Sequence, residues 1–557
     1  MTAGCTTLDW FDSSLLPEDV ENPKRLPLIS IDRIRDQLRR SVEFAFLDVR
    51  EELEFSRAQP LFAVNMPLGR IETHAWRLLP RLSVPIALFD DAQGIAGRAA
   101  EQLEAIGYYD ITVVDGGLEA WQRAGGEIFR DVGVPSKAFG EWLEAEAETP
   151  SLSAVELKNL LDTDEGLVLL DVRPFHEYQV MNIPGSICCP GAELVLRAGE
   201  LAQTPDTLVV VNCAGRTRSL VGAQSLLNSS LFKRVHALRN GTIGWLLAGL
   251  ELEHGAKRTA PAQLSSANHS RAQTAASRVA TSVGVQFLSR SEASHWERES
   301  DKRSLFRFDV RSPEEHQASH APGFFPAPGG QLVQATDEYV AVRGARILLG
   351  DDDGVRAAMT GSWLRQMGWP EVGVLTDGFA DQLTPGPASP APTPAPTKVP
   401  SLTPAQLDDR LRARTAVVVD LTSSPEYERG HIPGAWFAIR SRLEQSVSEL
   451  PREGELVLTS PDGLIAAFAQ PEFENLSGRA VAALSGGSEA WSAAGLPLET
   501  GLTHLAVPAE DVYKRPYEGV DNAQAAMQDY IDWELGLVEQ IRADGTACYN
   551  VLNPRGR

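Results

Sequence analysis

The stretch LLDVRPFHEY, residues 169–178, decides the fold of this chain because its pattern occurs four times. It has the pattern of an apolar strand that ends in Asp, followed by a polar turn and an acidic helix start. The other three copies are FLDVREELEF at 46–55, RFDVRSPEEH at 307–316 and VVDLTSSPEY at 418–427. Such self-similarity is typical of repeat proteins. The fold predicted for the segment around one copy therefore applies to the segments around all four.

A second landmark, built around glycine, follows every copy at nearly the same distance. From the motif Asp to this landmark the chain advances 66 to 69 residues, namely Asp48 to 116, Asp171 to 240, Asp309 to 377 and Asp420 to 486. Within each unit, short strand patterns alternate with helical patterns, which is typical of parallel sheets connected by helices. The sequence therefore predicts an α/β fold of four tandem domains, each a small, mainly parallel sheet flanked by helices.

These landmarks and the composition between them divide the chain into six segments. The predicted ranges are 27–130 for repeat 1, 150–255 for repeat 2, 282–384 for repeat 3, 385–400 for a Pro/Ala-rich linker, 401–500 for repeat 4 and 501–557 for a C-terminal helical tail. A Pro-rich segment of this kind is semi-extended and packs no core. Residues 256–280 are polar and predict a second linker, with a helix at its end.

The connections also suggest how the repeats associate. The segment between repeats 1 and 2 has enough apolar residues to dock, so we expect repeat 1 to pair with repeat 2, and repeat 3 with repeat 4. In the tail, apolar residues recur at helical spacing from about Asn522 to Arg542, which predicts a helix packed on a domain. These residues are Met527, Tyr530, Ile531, Trp533, Leu535 and Val538.

Composition limits the functional classes. The 557 residues carry 75 acidic and 51 basic side chains, a net charge of −24 that argues against a nucleic-acid or anionic-membrane surface. No apolar run approaches the roughly 20 residues of a membrane helix. The first 27 residues lack the basic and apolar regions of a secretory signal. With five scattered cysteines and no disulfide framework, we expect a cytoplasmic protein.

The candidate site is the stretch CAGRTRS at residues 213–219, which follows the buried strand pattern Leu208–Val211 and precedes a helix beginning near Thr217. In parallel α/β sheets ligands bind beyond the carboxyl ends of strands, and this stretch lies at such an end. We expect Cys213 to be the catalytic nucleophile. The expected substrate-binding residues are Ala214, Gly215, Arg216, Thr217, Arg218 and Ser219.

The stretch combines features that favour an anion on sulfur. A loop through Gly215 brings backbone N–H groups together as an anion nest, and the following helix adds the positive end of its dipole. Arg216 and Arg218 add two cationic donors, which we expect to recruit an anionic substrate. Because the thiolate is the reactive form of cysteine, such a loop can take up a sulfur atom as a persulfide and pass it on.

The repeat unit resembles the rhodanese family of sulfurtransferases. The resemblance rests on the LDVR motif, the IPGS turn at 183–186, the CAGRTRS loop and the trailing Gly-x-x-x-Trp, and it extends over about 27–500. The resemblance implies a persulfide on Cys213, held by the six-residue loop that ends at Arg218. It also implies a small anionic donor, thiosulfate, and a thiophilic acceptor, cyanide or a thiol. It implies no metal and no organic cofactor.

Only repeat 2 has a cysteine at this position, so we expect the other three repeats to be inactive. The equivalent place holds Asp90 or Asp91 in repeat 1, Asp351 or Asp352 in repeat 3, and a residue near Ser460 in repeat 4. Carboxylates cannot carry a persulfide. The repeated acidic pairs raise a metal site as an alternative, but hard cations need more oxygen ligands than one loop supplies, which favours solvated carboxylates.

Several other residues are better explained by structure than by chemistry. Cys188 and Cys189 fall on an apolar strand after the IPGS turn, so we expect buried thiols rather than sulfur relays. The motif residues Asp171 and Arg173 recur in inactive repeats, which indicates a scaffold role. The same holds for the tryptophans that recur at one repeat position, Trp121, Trp245 and Trp491.

Two other functions stay open at this point. Cysteine-dependent phosphatases and arsenate reductases use a Cys-x5-Arg loop, whereas Arg218 is only the fifth residue after Cys213, so this reading is the weaker one. Alternatively, the chain is a sulfur carrier that binds partners through its inactive repeats and turns over small molecules slowly. A protein sulfur donor or acceptor and a homodimer are both compatible with the sequence, while nucleic-acid and membrane partners are not expected.

Overall fold

The computed structural model of the chain describes residues 26–163, 166–202, 204–379, 383–387, 394, 396, 398–515 and 524–552. Within these residues, four α/β units follow one another, and each is built on a sheet whose strands run parallel to one another. The predicted fold class is confirmed. The domain ranges remain predictions.

Strands and helices alternate in the first two units. In repeat 1 they are β1 (Leu28–Ile29), α1 (Ile31–Arg39), β2 (Phe44–Asp48), α2 (Glu52–Arg57), β3 (Val64–Asn65), α3 (Ile71–Leu78), β4 (Ile86–Phe89), α4 (Ile95–Ala105), β5 (Ile111–Val114) and α5 (Gly117–Arg123). A connecting helix, α6 (Val134–Ala147), leads to repeat 2. Repeat 2 contains β6 (Ser151–Leu152), α7 (Ala154–Asp162), β7 (Val168–Asp171), α8 (Phe175–Val180), β8 (Ile187–Cys188), α9 (Leu194–Leu201), β9 (Leu208–Asn212), α10 (Thr217–Ser229), β10 (Arg234–Leu238) and α11 (Gly241–Leu247).

The second half of the chain repeats the pattern after a long connecting helix, α12 (Ser266–Ser282). Repeat 3 contains β11 (Gln286–Leu288), α13 (Arg290–Arg298), β12 (Leu305–Asp309), α14 (Pro313–Ala318), β13 (Ser319–His320), β14 (Phe325–Pro326), α15 (Gly329–Gln334), α16 (Thr336–Tyr339), β15 (Val342–Arg343), β16 (Arg346–Gly350), α17 (Arg356–Gln366), β17 (Glu371–Leu375) and β18 (Thr384–Pro385). Repeat 4 contains β19 (Ser401–Leu402), α18 (Pro404–Arg412), β20 (Ala416–Asp420), α19 (Ser424–Arg429), β21 (Trp436–Phe437), α20 (Leu443–Glu449), β22 (Glu455–Thr459), α21 (Leu464–Ser477), β23 (Val481–Leu484) and α22 (Gly487–Ala493). The tail forms α23 (Gln524–Asp544).

The four sheets share one strand order, which places equivalent loops at equivalent positions. In repeat 2 the order is β6-β10-β9-β7-β8, so β9 lies in the centre of the sheet. All of its residues are buried, because helices cover both faces of a parallel sheet. Helix starts are fixed locally: Ser153 at the start of α7 and Ser289 at the start of α13 each form a reciprocal capping box with a Glu three residues later.

The repeats pair differently from the expectation. Helix α12 packs its buried alanines between α9, α10 and α17 and thereby joins repeat 2 to repeat 3. Repeat 4 docks on repeat 1 instead of repeat 3, where Arg440 forms two 2.8 Å hydrogen bonds to Glu72. The expected pairing of repeat 3 with repeat 4 is therefore wrong. The segment between repeats 1 and 2 docks as expected, because its helix α6 packs on α10 of repeat 2 and contributes Val134 and Ala138 to the core of repeat 1. The polar character of residues 256–280 predicts a linker because the segment has few large apolar residues. In the structure its alanines let α12 pack closely against neighbouring helices.

Repeat 3 also completes the sheet of repeat 1. Strand β15 pairs antiparallel with β2, with Val342 opposite Ala45. Next to this junction, Glu43 of repeat 1 accepts hydrogen bonds from both the N–H and the hydroxyl of Ser304 and forms an ion pair with Arg303. Neighbouring units thus share strands and buried charges as well as apolar surface.

The tail helix predicted from 522 to 542 is confirmed as α23, which packs on α6 and α11. Its last residue, Asp544, forms an ion pair with Arg35 of repeat 1. Beyond it, Asn550 donates its N–H to the carbonyl of Gln366 in repeat 3. Leu535 departs from the expected apolar face, since 53% of it is exposed. The tail therefore ties three repeats together.

Much of the predicted linker 385–400 lies outside the described residues. Pro385 itself pairs with Ser319 in the short ladder formed by β13 and β18, so the chain leaves repeat 3 only after this point. Among the described residues, none of the helices combines the length and the apolar character needed to cross a bilayer.

The docking of repeat 4 on repeat 1 can be tested at the buried pair. Arg440→Met leaves the carboxylate of Glu72 buried without its cation, which should lower the free energy of the first unfolding transition in urea by about 3–5 kcal/mol. The double variant Arg440→Met/Glu72→Leu should recover most of this loss, because both charges are then gone.

The control for this experiment is Arg412→Met, which removes an exposed ion pair with Asp408 inside repeat 4. We expect it to change the same free energy by less than about 1 kcal/mol. Equal effects of the Arg440 and Arg412 variants would contradict the assigned docking.

Candidate functional site

The Cys213 loop joins the central strand of repeat 2 to a buried helix. Strand β9 ends at Asn212, one residue beyond the predicted end at Val211, and α10 begins at Thr217 as predicted. Cys213 therefore lies at the carboxyl edge of the sheet, directly in front of a helix N-terminus. There, free backbone N–H groups and the helix dipole favour negative charge.

The glycine landmark supports this loop through its backbone. The N–H groups of Thr242 and Ile243 donate to the carbonyls of Cys213 and Ala214, at 2.9 and 3.0 Å. Gly241 has a φ of +53°, and a Cβ at this residue would overlap the carbonyl oxygen of Cys213. The recurring glycine is thus explained by two requirements, a left-handed backbone and a close approach to the loop.

The Cys213 thiol is almost completely buried, with 1% of the residue exposed. Burial raises the pKa of Cys213 above its ordinary value, although the charge of Arg218 and hydrogen bonds from Ser219 act in the opposite direction. The expectation that the loop as it stands favours the thiolate is therefore not met. The donors around Cys213 are visible in the sequence, whereas the cost of desolvating the thiolate depends on its burial in the folded chain.

Arg218 occupies the mouth of the loop. Its guanidinium forms two hydrogen bonds to Glu177, at 2.9 and 3.0 Å. The side chain lines a cleft of about 400 Å³ that reaches the loop at Ala214. An anion that enters the cleft meets this cation next to the loop.

Arg216 points in another direction, which corrects its expected role. Its guanidinium is buried and binds Glu141 through two hydrogen bonds of 2.7 and 2.8 Å. Further bonds go to Glu144 and to Asn240 Oδ1. The side chain therefore anchors the loop to the connecting helix α6, and its cationic donors are not presented to the cleft.

Residues from outside repeat 2 form part of the cleft wall. Lys137 comes from α6, Gln334 and Glu338 come from repeat 3, and Arg515 comes from the tail. These residues could not be predicted from the sequence, because no local motif marks a contact made by a distant part of the chain. The candidate site is thus built from repeat 2 together with α6, repeat 3 and the tail.

Repeats 1, 3 and 4 have other hydrogen-bond acceptors at the position of the cysteine. Asp90, Asp351 and Ser460 each follow the central strand of their repeat directly, which resolves the alternatives left open by the sequence. In each case the side chain accepts a hydrogen bond from the backbone N–H six residues later, at Ala96, Ala357 and Ala466. These side chains occupy the anion-binding position themselves.

Repeat 3 shows this substitution most clearly. The carboxylate of Asp351 accepts the N–H groups of Gly354 and Ala357. Burial, followed by the repulsion of the nearby Asp353, raises the pKa of Asp351 well above its ordinary value. Within the described ranges, no group of three or more His, Cys, Asp or Glu side chains is arranged to hold a metal ion.

The other recurring residues are buried in the interior of their repeats. Arg173 binds both carboxylate oxygens of Asp171, and Arg50 with Asp48 and Arg311 with Asp309 repeat the arrangement. Each recurring tryptophan donates its indole N–H to a carbonyl six residues later. Cys188 and Cys189 are buried, and burial raises the pKa of Cys188 to about 12. These residues have the burial and bonding of scaffold groups.

Comparison with known proteins agrees with this geometry. A sheet of five parallel strands with a cysteine loop after its central strand defines a rhodanese-like unit. The Rhodanese-like domain family matches the chain at residues 31–124, 153–248, 293–382 and 403–494. The chain belongs to this family, as the sequence resemblance predicts, and carries four tandem copies of its domain.

Individual relatives differ in how much of the chain they match. A crystal structure of a thiosulfate sulfurtransferase from Pseudomonas aeruginosa is 50% identical, with a TM-score of 0.92, and the match covers 95% of this chain and 100% of that one. The putative sulfur carrier protein YrkF of Bacillus subtilis (strain 168) is 27% identical over 175 residues, 28% of this chain and 93% of that protein. The HTH-type transcriptional regulator Rv0324 of Mycobacterium tuberculosis is 38% identical over 90 residues, 16% of this chain and 39% of that protein.

The close approach at Gly241 gives a test of the loop. Gly241→Ala should displace the Cys213 loop, because the added methyl group overlaps the Cys213 carbonyl. We expect a loss of stability of about 1–3 kcal/mol and faster alkylation of Cys213 by iodoacetamide, measured by peptide mass spectrometry.

Gly249→Ala is the matched control, since Gly249 has a φ of +74° and no atom within 4 Å of an added Cβ. It carries the backbone strain without the overlap. The assignment is wrong if both variants leave Cys213 equally slow to alkylate.

Proposed function

We propose that the chain is a sulfurtransferase that moves a sulfane sulfur from thiosulfate, or from a persulfide donor, through Cys213 to cyanide or a thiol. The observation that carries this proposal is the placement of Cys213 between a central strand and a helix N-terminus. The 50% identity to a thiosulfate sulfurtransferase supports it.

The reaction has two steps that balance without a cofactor. In the first, the Cys213 thiol loses its proton, and the thiolate attacks the outer sulfur of thiosulfate. The sulfur–sulfur bond of the donor breaks, and sulfite leaves with the bonding electron pair. In the second step the acceptor attacks the outer sulfur of the Cys213 persulfide, and the thiolate leaves. Cyanide becomes thiocyanate, and a thiol becomes a persulfide.

The loop supplies the groups that such an anion needs. The backbone N–H groups from Ala214 to Arg218 hold the outer sulfur in this proposal, as an anion nest at a helix N-terminus. The hydroxyl oxygen of Thr217 is buried and has no hydrogen-bond partner among the described residues, so it can donate a further bond. Ser219 lies in the first turn of α10, where its hydroxyl donates a 2.8 Å hydrogen bond to the carbonyl of Arg216.

The side chain of Arg218 recruits the donor in this proposal. It is the loop cation that lines the cleft, whereas Arg216 is committed to the carboxylates of α6. Arg173 also lines the cleft, where its guanidinium is bonded to Asp171. A cation at the mouth of the loop favours an anionic donor such as thiosulfate.

The persulfide can be tested directly. Wild-type protein incubated with thiosulfate should gain the mass of one sulfur atom on the Cys213 peptide and release thiocyanate when cyanide is added. Cys213→Ser should do neither, because a hydroxyl cannot carry the sulfane sulfur. Intact mass and a colorimetric thiocyanate assay measure the two outcomes.

Cys548→Ser is the control for non-specific sulfur uptake, since Cys548 is an exposed free cysteine far from the loop in sequence. It should behave as the wild type does. Sulfur uptake that survives Cys213→Ser, or thiocyanate release by that variant, would contradict the proposed nucleophile.

The two loop arginines should differ in their effects. Arg218→Ala should raise the KM for thiosulfate by roughly 10–100-fold with a smaller change in kcat, because a charged hydrogen-bond donor to the substrate is lost. Arg216→Ala should mainly lower the thermal midpoint, because it leaves Glu141 buried without its cation. Steady-state kinetics and thermal unfolding separate the two. An unchanged KM in Arg218→Ala would remove this residue from donor capture.

A sulfur carrier that serves a protein acceptor is the second candidate. The specific observation is that repeat 3 and the tail form walls of the cleft, which provides surface beyond what a small donor needs. The similarity to a putative sulfur carrier protein is in line with it. Fast persulfide formation with slow thiocyanate release would favour this function. We place either activity in a reducing compartment such as the cytoplasm, because the described cysteines are free and Cys548 is exposed.

A further inference from the structure

The C-terminal helix covers the outer side of the Cys213 loop. A Cβ placed on Gly215 would lie 3.4 Å from Oε2 of Glu534 and 3.4 Å from Cε1 of Tyr530, both on α23. The ring of Tyr530 also packs with Ile243, whose N–H is bonded to the carbonyl of Ala214. The loop that holds Cys213 is therefore enclosed by a segment more than 300 residues further along the chain.

Glu534 is an unusual residue for this position. Only 1% of it is exposed, and its Oε1 accepts a 2.9 Å hydrogen bond from the hydroxyl of Tyr530. Its Oε2, the oxygen that faces Gly215, has no hydrogen-bond partner among the described residues. A buried carboxylate without compensating partners is costly, so a neutral carboxylic acid fits this place better.

The groups facing Glu534 do not neutralise it as an anion. From α6 come Lys137 and Glu141, and from the loop comes Arg216. Each cation already has a carboxylate partner, because Lys137 binds Asp131 at 2.8 Å and Arg216 binds Glu141. Helix α11 contributes the apolar Ile243, and Tyr530 is the titratable neighbour on α23 itself.

The protonation state of Glu534 matters because the loop must hold an anion. Burial, followed by the repulsion of Glu141, raises the pKa of Glu534 to about 8. At neutral pH the carboxyl is therefore mostly protonated and leaves the positive potential of the loop intact. In its ionised form it would place a negative charge directly behind the backbone that binds thiosulfate and the persulfide.

We propose that Glu534 is a positioning residue for sulfur transfer, and that its neutral carboxyl group keeps the Cys213 loop able to bind an anion. Ionisation of this carboxyl in mildly alkaline solution weakens donor capture and loosens the contact between α23 and the loop. This proposal rests on the proposed function and adds to it a proton switch that is supplied by the tail.

The experiment compares the full-length wild type with Glu534→Gln, which keeps the shape of the side chain but cannot ionise. The measured quantity is kcat/KM for thiosulfate from about pH 6 to about pH 9.5. Taking the ratio of variant to wild type at each pH cancels the titration of Cys213 and of cyanide, which both proteins share. We expect this ratio to rise roughly tenfold between about pH 7 and about pH 9, mainly through KM.

Two further variants separate this role from a merely structural one. Glu539→Gln removes an exposed carboxylate from the same helix, so its ratio to wild type should stay constant with pH. Tyr530→Phe removes the hydrogen bond that stabilises ionised Glu534, so the alkaline loss of activity should move to higher pH. This second variant keeps the test available if Glu534→Gln folds poorly.

Stability gives an independent readout with a defined sign. Because the folded-state pKa of Glu534 is raised, its contribution to stability is lost as pH rises from the ordinary Glu range through about 8. The thermal midpoint of wild type should fall relative to Glu534→Gln over this range. A flat activity ratio together with parallel thermal midpoints overturns the proposal. By contrast, a wild type that forms no persulfide at any pH overturns the proposed function instead.

Discussion

One hydrogen bond recurs in repeats 1, 3 and 4 and organises the same loop in each. The side chain of the residue after the central strand accepts the backbone N–H of the residue six positions later, at the start of the following helix. In these repeats the acceptor is Asp90, Asp351 or Ser460, whereas repeat 2 has the thiol of Cys213 at that position. The same backbone therefore supports either a reactive thiol or a side chain that closes its own anion site.

Repeats 1, 3 and 4, which have no cysteine at the position of Cys213, contribute to the surroundings of the Cys213 loop through their placement. Glu338 of repeat 3 lines the cleft in front of Cys213, and α12 fixes repeat 3 against repeat 2. Repeat 1 is joined to this pair by the strand contact between β15 and β2, and repeat 4 is attached through Arg440. Repeat 3 thus supplies wall residues of the cleft, whereas repeat 1 is attached to repeat 3 and repeat 4 to repeat 1.

The sequence predicts those structural features that depend on residues close together in the chain. The four units, the strand that ends at Asn212, the helix that begins at Thr217 and the helical tail all follow from hydrophobic periodicity and glycine placement. The directions of Arg216 and Arg218 do not follow from it. The two arginines are two residues apart, yet Arg216 binds Glu141 and Arg218 binds Glu177. The positions of these two carboxylates, which come from distant segments, therefore determine the direction of each arginine side chain. Similarly, nothing near Gly215 in sequence indicates that Glu534 lies against it.

The contact between α23 and the Cys213 loop also has a consequence for the time course of biosynthesis. A ribosome releases repeat 2 long before it reaches residues 530–534, and domains generally fold as they emerge. The loop around Cys213 therefore spends the intervening period without Tyr530 and Glu534 behind it. Its enclosed form arises only after three further segments, α12, repeat 3 and repeat 4, have emerged. Cys213 is therefore synthesised early, whereas Tyr530 and Glu534, which enclose its loop, are added late.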